Sequence, residues 1–309
     1  MATVELAPGL PIRNVWVRRL LVPVLFVAAF VFFALYTFPF DDLARRIESE
    51  VRAQGGELTI DRLRSAGLTG VSAEGVRLKL PGAPGGDPGP EIKLDRLVAK
   101  VDVLGLIVRR IGVSYTFEGY GGSGSGHATL AKDARQGILD QLTLNAIDLD
   151  VQALPLKESA GIEAAGKIAI KADLPKLSPP DQASGTILVT MRNTVITSGK
   201  LLGATLPKLN VNEVDLSATV DKGVAKIEKT GARGGDVEAS AEGTVRLKPL
   251  LTLSQADLKI SFKLADAWLN ANPLFRGLLS AVGNARQPDG SYAFSLTGPL
   301  SNVQSRPGR

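Results

Sequence analysis

Apolar and polar residues alternate with a period of two along most of the chain after Glu57. The alternation is clearest in residues 236–248 and 256–264, and shorter runs recur between residues 76 and 296. Strict alternation is typical of a β-strand with one apolar face and one wet face. Antiparallel sheets tolerate a wet face and parallel sheets generally do not, so the pattern favours an antiparallel sheet. About ten to twelve such segments, separated by Gly, Pro, Asn and Asp, predict a mostly-β chain.

Aromatic residues are scarce in this part of the chain. Of the sixteen Phe, Tyr and Trp residues, only eight follow Asp41. Aromatic side chains supply much of the buried area of a thick globular core, so their scarcity favours a thin structure. We therefore predict an elongated antiparallel sheet, twisted or folded, that is accompanied by a few short helices.

Two segments break the period of two and predict helices. Asp41–Gln54 has apolar residues every four positions, and we expect it to leave a membrane as a stalk over residues 41–56. Asn272–Gly283 carries an apolar stripe, with Asn272 as a candidate N-cap, Pro273 suited to the first turn and Gly283 suited to the C-terminal cap. We expect this second helix to pack on the apolar face of the sheet near its C-terminal end.

An uncharged segment of 21 residues, Leu20–Phe40, precedes the first helix. A helix of this length spans about 30 Å, the hydrocarbon thickness of a bilayer. The alternative is a cleaved signal peptide, but the segment is longer than a typical signal core and lacks a small-residue cleavage site. Arg18 and Arg19 on one flank, with Asp41 and Asp42 on the other, favour a cytoplasmic N-terminus.

These features predict a linear organisation for the chain. Residues 1–19 are cytoplasmic, 20–40 form a transmembrane helix, 41–56 form the stalk, and 57–300 form a β domain outside the cytoplasm. Pro175–Asp181 is interpreted as a turn or linker between two halves of that domain, and Gly119–Gly126 as a flexible loop. The polar residues 301–309 are predicted to be a disordered tail.

The composition excludes several kinds of chemistry. Cysteine is absent and histidine occurs once, so disulfides, thiol nucleophiles and metal sites built on several Cys or His are ruled out. The net charge of +5 is spread without a dense basic cluster, which argues against a nucleic-acid partner. His127 is interpreted as a surface residue, and Asp148 with Asp150 as the wet face of a strand rather than a paired-carboxylate or Ca²⁺ site. We predict no enzymatic activity, no cofactor and no metal.

The apolar face of the predicted sheet is the most informative feature, because two short helices cannot cover it. The sheet could fold over on itself, pack on a partner, or enclose lipid chains. The candidate binding residues are those that alternate inward in the two clearest strands: Val237, Val245, Leu247, Leu258, Ile260, Phe262 and Leu264.

Two Gly-containing motifs carry a resemblance to a known family. The sequence GLTGVSAEGVRL from Gly67 and the sequence DGSYAFSLTG from Asp289, together with one N-terminal anchor, resemble the type II secretion system protein N (GspN) family in its delta-proteobacterial form. The resemblance implies a non-catalytic bacterial inner-membrane protein with its bulk in the periplasm, which links or scaffolds other secretion or envelope proteins. Free strand edges would then serve partner binding.

The style of the strands also resembles AsmA-like proteins, which bind and transfer lipids along elongated sheets. This second resemblance implies phospholipid as a partner, held on the apolar face of the sheet. The two resemblances agree on the anchor and on the sheet, and they differ in what the sheet contacts.

Overall fold

The computed structural model describes residues 40–53, 56–79, 91–102, 105, 111–130, 139–157, 161–201, 204–248, 253–300 and 302–308. Three α-helices lie wholly within these residues: α1 (Phe40–Ala53), α2 (Asp266–Ala271) and α3 (Pro273–Ala281). The strands are β1 (Glu57–Ser65), β2 (Gly70–Lys79), β3 (Glu91–Val101), β4 (Gly112–Gly119), β5 (Gly122–Leu130), β6 (Leu139–Asp150), β7 (Glu163–Lys176), β8 (Ser184–Ser198), β9 (Lys200–Leu201), β10 (Ala204–Thr205), β11 (Leu209–Asp221), β12 (Val224–Arg233), β13 (Val237–Arg246), β14 (Gln255–Leu264), β15 (Tyr292–Pro299) and β16 (Gln304–Pro307).

Fourteen of these strands form one sheet in which each strand pairs with the next along the chain. Every pairing is antiparallel, and only the small β9–β10 hairpin stands outside the order, inserted between β8 and β11. The prediction of a mostly-β chain built on one large antiparallel sheet is confirmed. The number of strands is larger than predicted, because several strands lack a strict alternation in sequence.

The simple order of the strands gives the sheet two distinct ends. Alternate connections of such a meander lie at the same end, because each strand reverses the direction of the one before it. We call the end that holds the β1–β2 turn the lower end. The lower end therefore also holds the connections that follow β3, β5, β7, β11, β13 and β15. The opposite end, which holds the β4–β5 turn and helices α2 and α3, is called the upper end.

Helix α1 lies against the first strands. Ala44 is buried together with Leu63 of β1 and Val76 of β2, and the backbone amide of Ile60 donates a 3.0 Å hydrogen bond to Oε1 of Glu48. The helix predicted for this segment is confirmed, but it packs on the sheet instead of standing apart as a stalk.

The predicted membrane anchor, residues 20–40, lies outside the described residues apart from Phe40, which begins α1. Among the residues that the structure describes, no helix combines the length and the apolar character needed to cross a bilayer.

Helices α2 and α3 cover the apolar face near the upper end. Trp268, Phe275 and Leu279 are buried there, and the indole nitrogen of Trp268 donates a 3.0 Å hydrogen bond to the carbonyl of Lys208. Helix α3 confirms the predicted helix, whereas α2 was not predicted. Asn272 is the N-cap residue of α3, as predicted, but its side chain makes no capping hydrogen bond: its amide nitrogen donates backwards to the carbonyl of Trp268, at 2.9 Å.

The Gly-rich segment predicted as a flexible loop is a regular hairpin. Only Tyr120 and Gly121 form the turn, with φ values of 53° and 68°, and the segment's other residues belong to β4 and β5. A two-residue turn with both φ values positive matches the twist of the flanking strands. Gly124 and Gly126 alternate with serines because they occupy one face of β5, beneath the rings of Phe117 and Tyr115 on β4.

Two further segments were interpreted from the sequence alone. Pro175 and Lys176 end β7, and the residues after them form the turn to β8, in keeping with the first of the two interpretations, a turn or a linker. The two strands pair with each other, so the sheet continues across this segment. The C-terminal residues predicted to be disordered include strand β16, which pairs with β15 from Phe294 opposite Pro307 to Thr297 opposite Gln304.

In the first three strands, the alternation of inward and outward side chains shifts by one residue at the same level of the sheet. In β1, the residues Asp61 and Arg62 are both exposed, so the alternation that places Ile60 inward resumes at Leu63. Gly75 lies opposite Asp61, between the pairs Arg62–Glu74 and Ile60–Val76, and has φ of +63°. This conformation is costly for a residue with a side chain. The glycine allows the apolar residues on both sides of the row to face α1.

Replacing Gly75 with alanine is expected to lower the free energy of unfolding by about 2–3 kcal/mol, from left-handed backbone strain and a steric clash. A Cβ at this position would lie 2.9 Å from Cβ of Asp61. The matched control is Gly67→Ala, since Gly67 also has positive φ but no atom within 4 Å of a built Cβ. Denaturant titration of the full chain measures the free energy of unfolding of both variants. An equal loss in Gly75→Ala and Gly67→Ala would show that the clash with Asp61 contributes nothing.

Candidate functional site

The sheet carries an uninterrupted belt of inward-facing residues that crosses nearly all of its strands. One residue from each strand, from β1 to β8 and from β11 to β15, pairs directly with the next. We call this set the apolar belt: Leu63, Ala73, Leu97, Phe117, Gly124, Ala146, Ile170, Val189, Leu216, Thr230, Ala241, Ile260 and Phe294. At about 4.8 Å per strand, the belt extends roughly 55–60 Å along the sheet.

Three clusters of buried side chains cover parts of this apolar face. One lies under α1 at β1–β3, and one lies under α2, α3 and the β9–β10 hairpin at the upper end. The third lies at the lower end around Leu174 and Val220, where Ala183 of the β7–β8 connection is buried against it. These clusters supply the hydrophobic stabilisation of the fold, and they leave the middle of the face outside their contacts.

The middle of the apolar face is uncovered within the described residues. Its side chains are half-buried, belong to none of the three clusters, and come from strands β7 to β15. We call them the open stretch: Ile168, Ile170, Val189, Met191, Leu216, Ile227, Val245, Leu258, Ile260, Phe294 and Leu296. A sheet face packed under a second layer would bury such residues, because the second layer excludes water from them. Contiguous exposed apolar surface of this kind is typical of a binding surface.

The seven candidate residues named from the sequence all face the apolar side, but they have different surroundings. Val237 and Leu264 are opposite each other and buried beneath the helices, and Phe262 packs against the same cluster. Leu247 contacts the lower cluster. Only Val245, Leu258 and Ile260 belong to the open stretch. The alternation predicted the face of each residue correctly, whereas the position of the covering helices is a tertiary feature that alternation does not encode.

An aromatic group borders the open stretch. The ring of Phe262 stacks on Tyr292 with centroids 5.8 Å apart and on Phe294 at 6.0 Å. The three residues lie on adjacent strands β14 and β15, so their contact follows from register rather than from sequence proximity. Stacked rings of this kind present a flat, rigid apolar surface.

Sequence reasoning missed the contribution of β4 and β5 to the face. The Phe117 ring occupies the space where Gly124 would carry a Cβ, and a Cβ on Gly126 would lie 2.7 Å from Cζ of Tyr115. The Tyr115 hydroxyl donates a 2.8 Å hydrogen bond to the carbonyl of Thr143, and burial raises the pKa of this phenol. The sequence did carry a signal for this packing. Two aromatic residues at alternate positions, Tyr115 and Phe117, stand opposite two glycines at alternate positions, Gly126 and Gly124, across one turn.

His127 lies on the wet face of β5 among hydroxyl groups. Its Nδ1 lies 3.3 Å from Oγ of Ser114, and its Nε2 lies 3.5 Å from Oγ1 of Thr129. Its backbone amide donates to Oγ1 of Thr143 at 2.9 Å. The histidine is therefore one member of a polar cross-strand cluster on an open surface, in keeping with its interpretation as a surface residue.

Asp148 and Asp150 have different surroundings. Asp148 has φ of +56°, at a point where the register of β6 with β7 shifts. Asp150 instead accepts a 3.1 Å hydrogen bond from the amide of Gln152 and lies 3.8 Å from Nζ of Lys167. Within the described part of the chain, no group of three or more His, Cys, Asp or Glu residues is arranged to hold a metal ion.

No protein-family model, curated protein or solved structure matches this chain.

Proposed function

We propose that this chain is a non-enzymatic, membrane-anchored protein of the bacterial periplasm that binds the acyl chains of a lipid on the open stretch of its sheet. The observation that carries the proposal is the apolar belt, which continues past the covering helices as half-buried Ile, Leu, Val, Met and Phe side chains. Acyl chains match this surface because they are long, flexible and wholly apolar, and their contact removes apolar area from water at about 25 cal/mol per Å².

The strand edges favour this function over partner binding by strand addition. Within the described residues, β1 pairs only with β2 and β16 pairs only with β15. However, Glu48 of α1 accepts from the amide of Ile60 on β1, and β16 is four residues long and ends at Pro307. Edges with these features are protected from pairing with other chains, because the strand is short, a proline lacks an amide proton, and the backbone amide already donates to a side chain.

The second candidate function is a scaffold of the type II secretion machinery, and one observation favours it. Ile147 and Leu188 expose 49% and 44% of their surface on the otherwise polar wet face, on strands β6 and β8. An exposed apolar side chain on a wet face is a common contact for a protein partner. In this function the wet face, and not the apolar face, carries the interaction.

Photocrosslinking in living cells distinguishes the two functions. A photoreactive amino acid is placed at Val245 and at Leu216 in the open stretch, with Leu188 on the wet face as the matched position. We expect phospholipid adducts at Val245 and Leu216, identified by mass spectrometry, and none at Leu188. The absence of lipid adducts at both open-stretch positions would contradict lipid binding, and a protein adduct at Leu188 would instead support the scaffold and identify its partner.

A further inference from the structure

Exposed apolar side chains concentrate at the lower end of the sheet. Of the eleven large apolar side chains that are exposed among the described residues, seven lie in the connections at this end or at the adjoining strand ends. We call these seven residues the lower rim: Leu68, Val101, Ile111, Leu130, Leu253, Leu300 and Val303. Near the upper end of the described chain, two large apolar side chains are comparably exposed, Leu274 of α3 and Ile147 of β6.

None of the lower-rim residues belongs to the three buried clusters of the described chain. Leu68 exposes 72% of its surface in the β1–β2 turn, and Leu253 exposes 51% in the β13–β14 connection. Surface turns are usually built from polar residues, because their side chains remain in water. Apolar residues in several separate connections at one end therefore indicate a shared environment that is not water.

Helix α1 directs the chain toward this end. Near the end of the helix, Cγ1 of Val51 lies 3.0 Å from a Cβ built on Gly56, just before β1. Earlier in the helix, Glu48 accepts a hydrogen bond from the amide of Ile60, which is further along the strand. The helix therefore runs antiparallel to β1. Phe40, eight residues before Glu48, lies about 12 Å further toward the lower end at 1.5 Å per residue. The sequence predicted as a membrane anchor ends at Phe40, so it joins the described fold near the lower rim.

Charge at the lower end is compatible with a membrane surface. Within the described residues, five Lys or Arg side chains are exposed there against three Asp side chains: Arg64, Lys100, Lys222, Arg246 and Lys248, with Asp102, Asp181 and Asp221. This small excess of positive charge gives a weak attraction to anionic headgroups. Charge does not account for the seven apolar side chains, whose chemistry fits the apolar boundary of a bilayer.

We propose that the lower rim inserts into the interface of the bilayer that holds the anchor, so that the sheet stands with its lower end on the membrane. Isolated apolar side chains on turns bind membranes in this way, by burying themselves at the boundary between headgroups and acyl chains. The proposal rests on the membrane anchor of the proposed function, but it does not depend on lipid binding on the open stretch. It assigns a membrane contact to residues that lie outside the apolar belt.

The absence of native cysteine permits a direct test with the full chain. Single variants Leu68→Cys, Leu253→Cys and Val303→Cys each carry an environment-sensitive fluorophore and are reconstituted in phosphatidylethanolamine–phosphatidylglycerol vesicles. The matched control is Leu274→Cys, whose native side chain is 64% exposed at the upper end. Some lipids carry a nitroxide quencher on the acyl chain, and iodide serves as the aqueous quencher.

We expect nitroxide to quench the three lower-rim probes several-fold more strongly than the Leu274→Cys probe. Iodide is expected to show the reverse order, which gives a second measurement independent of the first. Three results would overturn the proposal: equal nitroxide quenching at both ends, nitroxide quenching at the upper end alone, or failure of the chain to associate with vesicles. Lipid crosslinking at Val245 is a separate readout, so either proposal fails without affecting the test of the other.

Discussion

Replacing Phe275 with alanine is expected to lower the free energy of unfolding by about 3–5 kcal/mol, the usual loss when a buried aromatic side chain leaves a cavity. Phe275 is 2% exposed and packs edge-on against Trp268 with ring centroids 5.5 Å apart. It joins α3 to the sheet within a cluster that includes Leu206 of the inserted hairpin.

The adjacent Leu274 provides the control for this prediction. Its side chain is on the opposite side of α3 and mostly exposed, so Leu274→Ala is expected to change the free energy of unfolding by less than about 0.5 kcal/mol. Denaturant titration of the detergent-solubilised full chain measures both variants. A similar loss for the two would show that α3 does not rest on the sheet through Phe275.

Local patterns in the sequence predicted the strands and the faces of their residues. In β13 and β14 every predicted inward residue is inward, because a regular strand turns successive side chains to opposite faces. The shift of the alternation at Asp61 and Gly75 was not predictable in this way. One residue is polar and the other is small, so neither shows that the next apolar residue returns to the same face. It is recognised only from the register with the neighbouring strands.

Composition led to a wrong prediction for two segments, because their conformation depends on pairing with a neighbouring strand. The run from Gly119 to Gly126 has the composition of a flexible loop, and it is a hairpin because Tyr115 and Phe117 supply the apolar cover that its glycines lack. Strand β16 is equally weak in sequence and forms by pairing with β15. In both cases the neighbouring strand determines the conformation, which is why β-propensity alone is an uncertain guide.

The candidate site shows the same division between local and tertiary information. Val245 and Val237 are both inward in the alternation of one strand, yet Val237 is buried beneath the helices and Val245 is in the open stretch. What covers an apolar face is determined by the path of distant segments, here α2, α3 and the β9–β10 hairpin. The sequence therefore predicted the existence of an apolar face, and the structure shows which part of it the described helices and hairpin leave uncovered.

Polar substitution within the open stretch is expected to remove lipid binding while the fold persists. In the triple variant Val189→Asn, Leu216→Asn and Ile260→Asn, we expect bound phospholipid to fall at least about tenfold. This fall corresponds to about 1.4 kcal/mol of binding free energy, less than burying one such side chain contributes. The measurement is the phospholipid that co-purifies with each variant, quantified per mole of protein. The three residues lie on β8, β11 and β14 and are half-buried.

The control for this variant places the same three amides on the wet face, as Thr190→Asn, Ser217→Asn and Ser261→Asn. Each control residue directly follows one of the substituted residues, so the two variants change the strand propensity of the same strands. Because no second layer covers the open stretch within the described part of the chain, we expect the unfolding free energies of the two variants to agree within about 2 kcal/mol. If a second layer covered the stretch, each buried amide would cost a further 1–3 kcal/mol or so, and the first variant would unfold far more readily. Agreement in stability together with a loss of lipid in the first variant alone would therefore separate a binding surface from a structural core.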